Sequence, residues 1–205
     1  MNTARTILQL GVLLAAGSAT LIAAPTAASA DTLLIRRPGV HPDYLFEAEP
    51  HVLLGFIDPP GPAGQMGFGL GFRGAIEVFD NGFVATINNT IAVGFGLDWV
   101  RYEFKHARCA RGPNGDCATF EDVDDALDYF WLPVVMQWNF WLSRNWSVFG
   151  EVGPALRFAP DSGEDDVEFD FINVWGGGRF HFSDTITLTM RVGYPTFSVG
   201  ASFLF

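Results

Sequence analysis

The sequence predicts an all-β fold, an eight-stranded antiparallel up-and-down transmembrane β-barrel, and three observations predict it. Apolar and polar residues alternate with period two over eight segments, the signature of strands with two unlike faces. Hydrophobic residues make up 49% of the chain, with 20 phenylalanines, yet beyond residue 30 no run of about 18 apolar residues exists to form a membrane helix. The alternation continues to the last residue: in SVGASFLF (198–205), Phe205 shares a face with Phe203, Ala201, Val199 and Phe197.

Residues 1–30 read as a secretory signal peptide: Arg5, the apolar stretch ILQLGVLLAAGSATLIAA, then Ala28-Ser29-Ala30 as a small-residue cleavage site before Asp31. An uncleaved anchor is the rival, disfavoured because the flanks suit cleavage and no stop-transfer pattern follows. Residues 31–44 are expected to be an N-terminal periplasmic segment, and 45–205 the barrel.

The strands follow in order. In 47–57, Val52, Leu54 and Phe56 oppose Glu49 and His51. In 65–79, Met66, Phe68, Leu70, Phe72, Ile76 and Val78 oppose Gly67, Gly69, Gly71, Arg73 and Glu77. In 90–105, Ile91, Val93, Phe95, Leu97 and Trp99 oppose Gly94, Gly96 and Asp98. In 127–142, Leu132, Val134, Met136, Trp138 and Phe140 oppose Gln137 and Asn139. The fifth sets Trp146, Val148, Val152, Leu156 and Phe158 against Ser147, Glu151 and Arg157. The sixth sets Ile172, Val174, Phe180 and Phe182 against Asn173, Arg179 and His181. The seventh sets Ile186, Leu188, Met190 and Val192 against Thr187, Thr189 and Arg191, and 198–205 is the eighth.

Alternation alone leaves a soluble sandwich or ligand-binding barrel open. The apolar faces are too bulky for the narrow interior of eight strands, and the glycine-rich polar faces suit a crowded lumen, so the apolar faces are expected to meet lipid. Ser143-Arg144-Asn145 and Ser183-Asp184 are short turns, expected on the periplasmic side, while 58–64, 106–126 and 159–168 read as outer loops. The 79–89 connection is long for such a turn and Tyr194-Pro195 short for such a loop. Two aromatic belts are expected, from Tyr129, Phe130 and Trp131 and from Phe140, Trp141 and Trp146, with core aromatics as the alternative.

Cys109 and Cys117 flank ARGPNGD, a turn-forming stretch, and export to an oxidising compartment predicts a disulfide between them. Zinc spacing does not match, and no metal ligand set or cofactor is expected. With 12 Lys and Arg against 23 Asp and Glu, a nucleic-acid partner is excluded.

With Ser198, Gly200, Phe203 and terminal Phe205, the C-terminus is similar to the signal by which bacterial outer-membrane barrels are read by the barrel-assembly machinery. The pattern over 45–205 resembles the small eight-stranded outer-membrane barrels of the OmpA/OmpX type. That resemblance implies a bacterial outer-membrane location after cleavage near Ala30, with outer-membrane lipids, lipopolysaccharide and the assembly machinery as partners. No external partner is identified by the sequence.

The inward positions collect a lumen charge network: Glu49, His51, Arg73, Glu77, Asp98, Glu151, Arg157, Arg179, His181 and Arg191. In a narrow barrel such groups must pair, since an unpaired buried charge is costly. The expected function is therefore a structural or surface-interaction role with a plugged polar lumen; the alternative is a narrow channel or carrier for small or hydrophobic solutes. A catalytic reading would rest on His106 near Asp124 and Asp125, but no Ser-containing motif accompanies it, so no enzyme is expected. The acidic clusters Glu121, Asp122, Asp124 and Asp125, and Asp161, Glu164, Asp165 and Asp166, read as solvated charge, with divalent-cation binding as the weaker alternative.

Overall fold

The structure, a computed structural model, describes residues 33–56, 66–111, 117–160 and 167–205. A strand with one apolar face leaves two hydrogen-bonding edges to satisfy, and in lipid neither edge can stay open. The chain removes them by closure. β1 (Phe46–Gly55), β2 (Gly67–Phe79), β3 (Asn89–Arg111), β4 (Cys117–Trp141), β5 (Trp146–Phe158), β6 (Val167–His181), β7 (Ile186–Gly193) and β8 (Thr196–Leu204) pair with their neighbours in chain order. All pairs are antiparallel, and β1 pairs with β8 to complete a closed barrel.

The bulky face points out. Phe68 is 64% exposed and Val134 53%, whereas the alternating Arg179 is 1% exposed. A water-soluble barrel has the opposite arrangement; an apolar outer band around a charged interior is the solution for a barrel in lipid. One bulge refines the pattern. Between β5 and β6 the register shifts at Gly153 and Ala155, and Phe171 and Ile172, adjacent in sequence, are both exposed.

Both chain ends of the barrel lie at one rim, where Leu45 N–H donates to Phe205 C=O at 2.7 Å and Phe205 N–H to Phe46 C=O at 2.8 Å. The connections 142–145, 182–185 and 80–88 close the same rim, here called the turn end. The length of 80–88 has a physical use. Asn88 donates from its backbone to Ile35 C=O and from its side chain to Val40 C=O, stitching the N-terminal segment to the rim. Asn89 ties the connection to itself through Val84 and Ile87, and Ile91 is buried despite its outward parity.

The opposite, loop end differs from the sequence expectation in one respect. Residues 106–126, expected as a loop, are largely strand: β3 and β4 stay paired up to Arg111 and Cys117. β2 accompanies β3 only to Arg101 and β5 accompanies β4 only to Phe130, so the rest forms a two-stranded ribbon beyond the barrel. The Cys109–Cys117 disulfide crosses its tip, and opposite charges face each other along it, Lys105 with Asp124 at 3.4 Å and Arg101 with Asp128 at 3.4 Å. Connections 58–64 and 161–166 lie outside the described residues.

Candidate functional site

The strands aim their alternate side chains into a bore narrow enough that each must fit around its neighbours. Nearest the turn end, Tyr44, Trp141 and Leu204 form an apolar layer, with Trp141 5.0 Å from the His181 ring. Burial, reinforced by the nearby Glu47 carboxylate, pushes the Tyr44 phenol well above its ordinary range, so it stays a neutral hydroxyl. Next come hydroxyls and His181: Ser147 Oγ lies 2.8 Å from His181 Nε2, and Thr189 Oγ1 2.6 Å from Ser202 Oγ.

The middle of the bore is ionic. Arg179 donates through Nε and Nη2 to the Glu47 carboxylate at 3.1 and 2.8 Å, and through Nη1 to Asn139 Oδ1 at 2.8 Å. Arg191 lies between two carboxylates, donating to Glu49 at 2.8 and 2.9 Å and to Glu151 at 3.0 and 3.1 Å. Gln137 adds a donor to Glu151 at 2.8 Å. Towards the loop end, Arg73 Nη2 donates to Asp98 Oδ2 at 2.6 Å, and His51 Nε2 lies 3.0 Å from Asp98 Oδ1. Paired guanidiniums of this kind satisfy charges that burial would otherwise make prohibitive. A cavity of ≈ 10 Å³ lies among Glu47, Glu49, Arg73, Gln137, Glu151 and Arg191. Above them Leu53, Val100, Tyr102, Phe104, Tyr129, Trp131 and Ala159 make a second apolar layer.

Of the residues expected in the network, Glu49, His51, Arg73, Asp98, Glu151, Arg179, His181 and Arg191 are buried in the bore. Glu77 and Arg157 are elsewhere: Glu77 is half-buried at the turn-end rim, and Arg157 pairs with Glu168 near the loop end. Both follow their strands' parity but lie beyond the packed ionic groups, Glu77 towards the turn end and Arg157 towards the loop end. Glu47 was missed, although it shares the parity of Glu49 and His51. The belts also need correction. Tyr129, Trp131 and Trp141 are buried inward, while Trp146 is exposed, because neighbours in sequence cannot share a face of a strand.

Core aromatics, the alternative to the belts, hold for Tyr129, Trp131 and Trp141, but Phe149 and Trp175 carried no inward assignment in the sequence. Phe149 is buried, with the Arg179 and Arg191 guanidiniums 4.2 and 5.1 Å from its ring centre, and Arg73 lies 5.5 Å from the Trp175 ring centre. Glycine was the available signal. Phe149 faces Gly177 across the β5–β6 pair, and Gly177 in turn faces Arg191; a Cβ at Gly177 would run into the Phe149 ring.

Of the C-terminal residues, Ser198 is buried in the bore and Phe205 exposed outside. Gly200 lies against His51, and Phe203 is outward at 37% exposure. The His106 and Glu121 side chains and residues 161–166 lie outside what is described, so the catalytic reading of His106 and one acidic cluster have no structural counterpart here. On the described ribbon, Asp122 is exposed, and Asp124 and Asp125 line an open depression of ≈ 930 Å³ together with Arg101, Glu103, Lys105 and Asp128.

No protein-family model matches the chain, and no curated protein does. Among solved structures it is similar to Ail, the attachment invasion locus protein of Yersinia pestis, in complex with the heparin analogue sucrose octasulfate: TM-score 0.49, 14% identity, 80% of this chain and 99% of that one. It is also similar to the outer-membrane protein Ail of Yersinia pestis in a phospholipid bilayer nanodisc: TM-score 0.41, 12% identity, 80% of this chain and 100% of that one. Closure, strand order and the outward apolar band establish the fold as that of a small eight-stranded outer-membrane β-barrel.

Proposed function

We propose that the protein is an integral bacterial outer-membrane barrel with a non-conducting lumen and a structural or surface-interaction role carried by the β3–β4 ribbon. The observation that carries this reading is the filling of the bore. The cavity of ≈ 10 Å³ among the ionic groups admits about one water, too little there for a hydrated path. Apolar layers on both sides of the ionic groups support it further.

The turn end belongs to the periplasm, since such barrels keep short turns there, and the ribbon then stands outside the cell. Its described residues hold Glu103, Asp122, Asp124, Asp125 and Asp128 against Arg101, Lys105 and Arg108. A surface of that balance suits a basic partner, or lipopolysaccharide bridged by divalent cations. Residues 1–30 serve export with cleavage near Ala30, 31–44 stay periplasmic, and Ser198, Gly200, Phe203 and Phe205 are read by the assembly machinery.

Planar-bilayer recording of the purified protein tests the central claim. Insertion without stable openings is expected; long-lived open events of uniform size would overturn the filled lumen and restore the narrow channel.

A further inference from the structure

His41, Glu77 and Asp80 come together at the turn-end rim from three different places: the N-terminal segment, the end of β2 and the connection that follows it. One ligand atom from each lies within 4.8 Å of the others. The His41 side chain is 2% exposed and stacks on Trp141 at 5.5 Å. Its Nδ1 is 3.1 Å from Pro42 C=O, while its Nε2 is 3.2 Å from Asp80 Oδ1 and 3.2 Å from Asp80 C=O. Both ring nitrogens therefore face oxygen acceptors, and with one proton on Nδ1 the Nε2 lone pair points at oxygen.

A second proton would answer that clash but not the next observation. Glu77 Oε2 is buried and, among the described residues, has no hydrogen-bond partner. A cation held by all three side chains satisfies both. The His41–Asp80 separation of 3.2 Å matches the roughly 3.3 Å between ligand atoms about 2.0–2.1 Å from a tetrahedral zinc ion, and the Glu77 carboxylate, within 4.8 Å, has to close the remaining distance by side-chain rotation. The backbone carbonyl on the other imidazole nitrogen is the usual device for fixing a metal-binding tautomer. One imidazole with two carboxylates suits a divalent transition metal rather than calcium or magnesium, which prefer oxygen throughout.

We propose that His41, Glu77 and Asp80 bind a divalent transition-metal ion of the zinc class and thereby pin the N-terminal segment across the turn end of the barrel. Metal binding closes a loop between the segment and the β2–β3 connection, adding to the hydrogen bonds from Asn88. The proposal does not depend on what the ribbon does.

The test is calorimetric titration of Zn²⁺ into the purified protein in detergent after chelator treatment, with trypsin cleavage after Arg36 as a second readout. One saturable site per chain is expected, weakened at least about tenfold in both His41→Ala and Asp80→Asn. Zn²⁺ should slow cleavage after Arg36 in the wild type and not in His41→Ala. Heat-modifiable gel mobility confirms that each variant retains the barrel. Absence of saturable binding up to about 1 mM Zn²⁺, or equal affinity in all three proteins, would overturn the site.

Discussion

Replacing Arg191 by Met is the most informative single perturbation of the bore. The guanidinium is 3% exposed and makes four hydrogen bonds to two carboxylates, at 2.8 and 2.9 Å to Glu49 and 3.0 and 3.1 Å to Glu151. Methionine keeps much of the apolar stem and removes the charge. Glu151 then retains Gln137, and Glu49 faces His51 Nδ1 at 3.6 Å. Four charge-assisted bonds at about 1.5–3 kcal/mol each would approach the whole stability of a domain, but they share two acceptors and do not add. The better measure is the loss on breaking a buried ion pair, about 3–5 kcal/mol. With a urea slope of about 1–3 kcal/mol per molar, the unfolding midpoint in lipid vesicles should fall by about 2 M. The triple variant Glu49→Gln, Arg191→Met, Glu151→Gln removes all three charges and should recover at least half of that loss, since no charge is then left buried without a partner. A midpoint for Arg191→Met within about 0.5 M of wild type would refute the assigned pairing; a triple variant no better than the single would refute the electrostatic account of it.

Two further substitutions probe the other face and the packing. Val134→Arg places a charge on the outward band in the middle of β4, where lipid exposure should cost about 2–4 kcal/mol in vesicle unfolding; an unchanged midpoint would mean that this face does not meet lipid. Gly177→Ala pushes a methyl group into the Phe149 ring and the Met190 carbonyl, and should cost about 1–3 kcal/mol by the same assay, with neutrality contradicting the inward placement of Phe149.

Period-two alternation made most strand faces legible in the sequence because lipid and lumen demand opposite chemistries of adjacent residues. Phe68 against Gly67, and Val192 against Arg191, need no structure to sort. What alternation could not provide was depth along the bore. Glu77 and Arg157 have the parity of lumen residues but lie beyond the packed ionic layers, and parity carries no information on distance from the rim. The ribbon was hidden differently. Its charges and turn formers between the cysteines look like loop chemistry, while its strand character depends on cross-strand partners such as Lys105 and Asp124, far enough apart in sequence that no local pattern links them.

The glycines connect these points to function. His51 is flanked across the strands by Gly71 and Gly200, Arg73 by Gly96, and Phe149 by Gly177, so each of these three large inward residues faces at least one residue with no side chain. An eight-stranded bore has room for one such group at a time, and the pattern fills it in layers rather than lining it. A bore packed this way is sensitive to almost any enlargement, which supports the proposed non-conducting lumen. The ribbon carries no such constraint: its charged side chains are largely exposed, its backbone is anchored by the barrel at one end and its disulfide ties the other. Variation in recognition is then cheap outside and expensive inside, which is why the surface reading assigns the barrel to holding and the ribbon to contact.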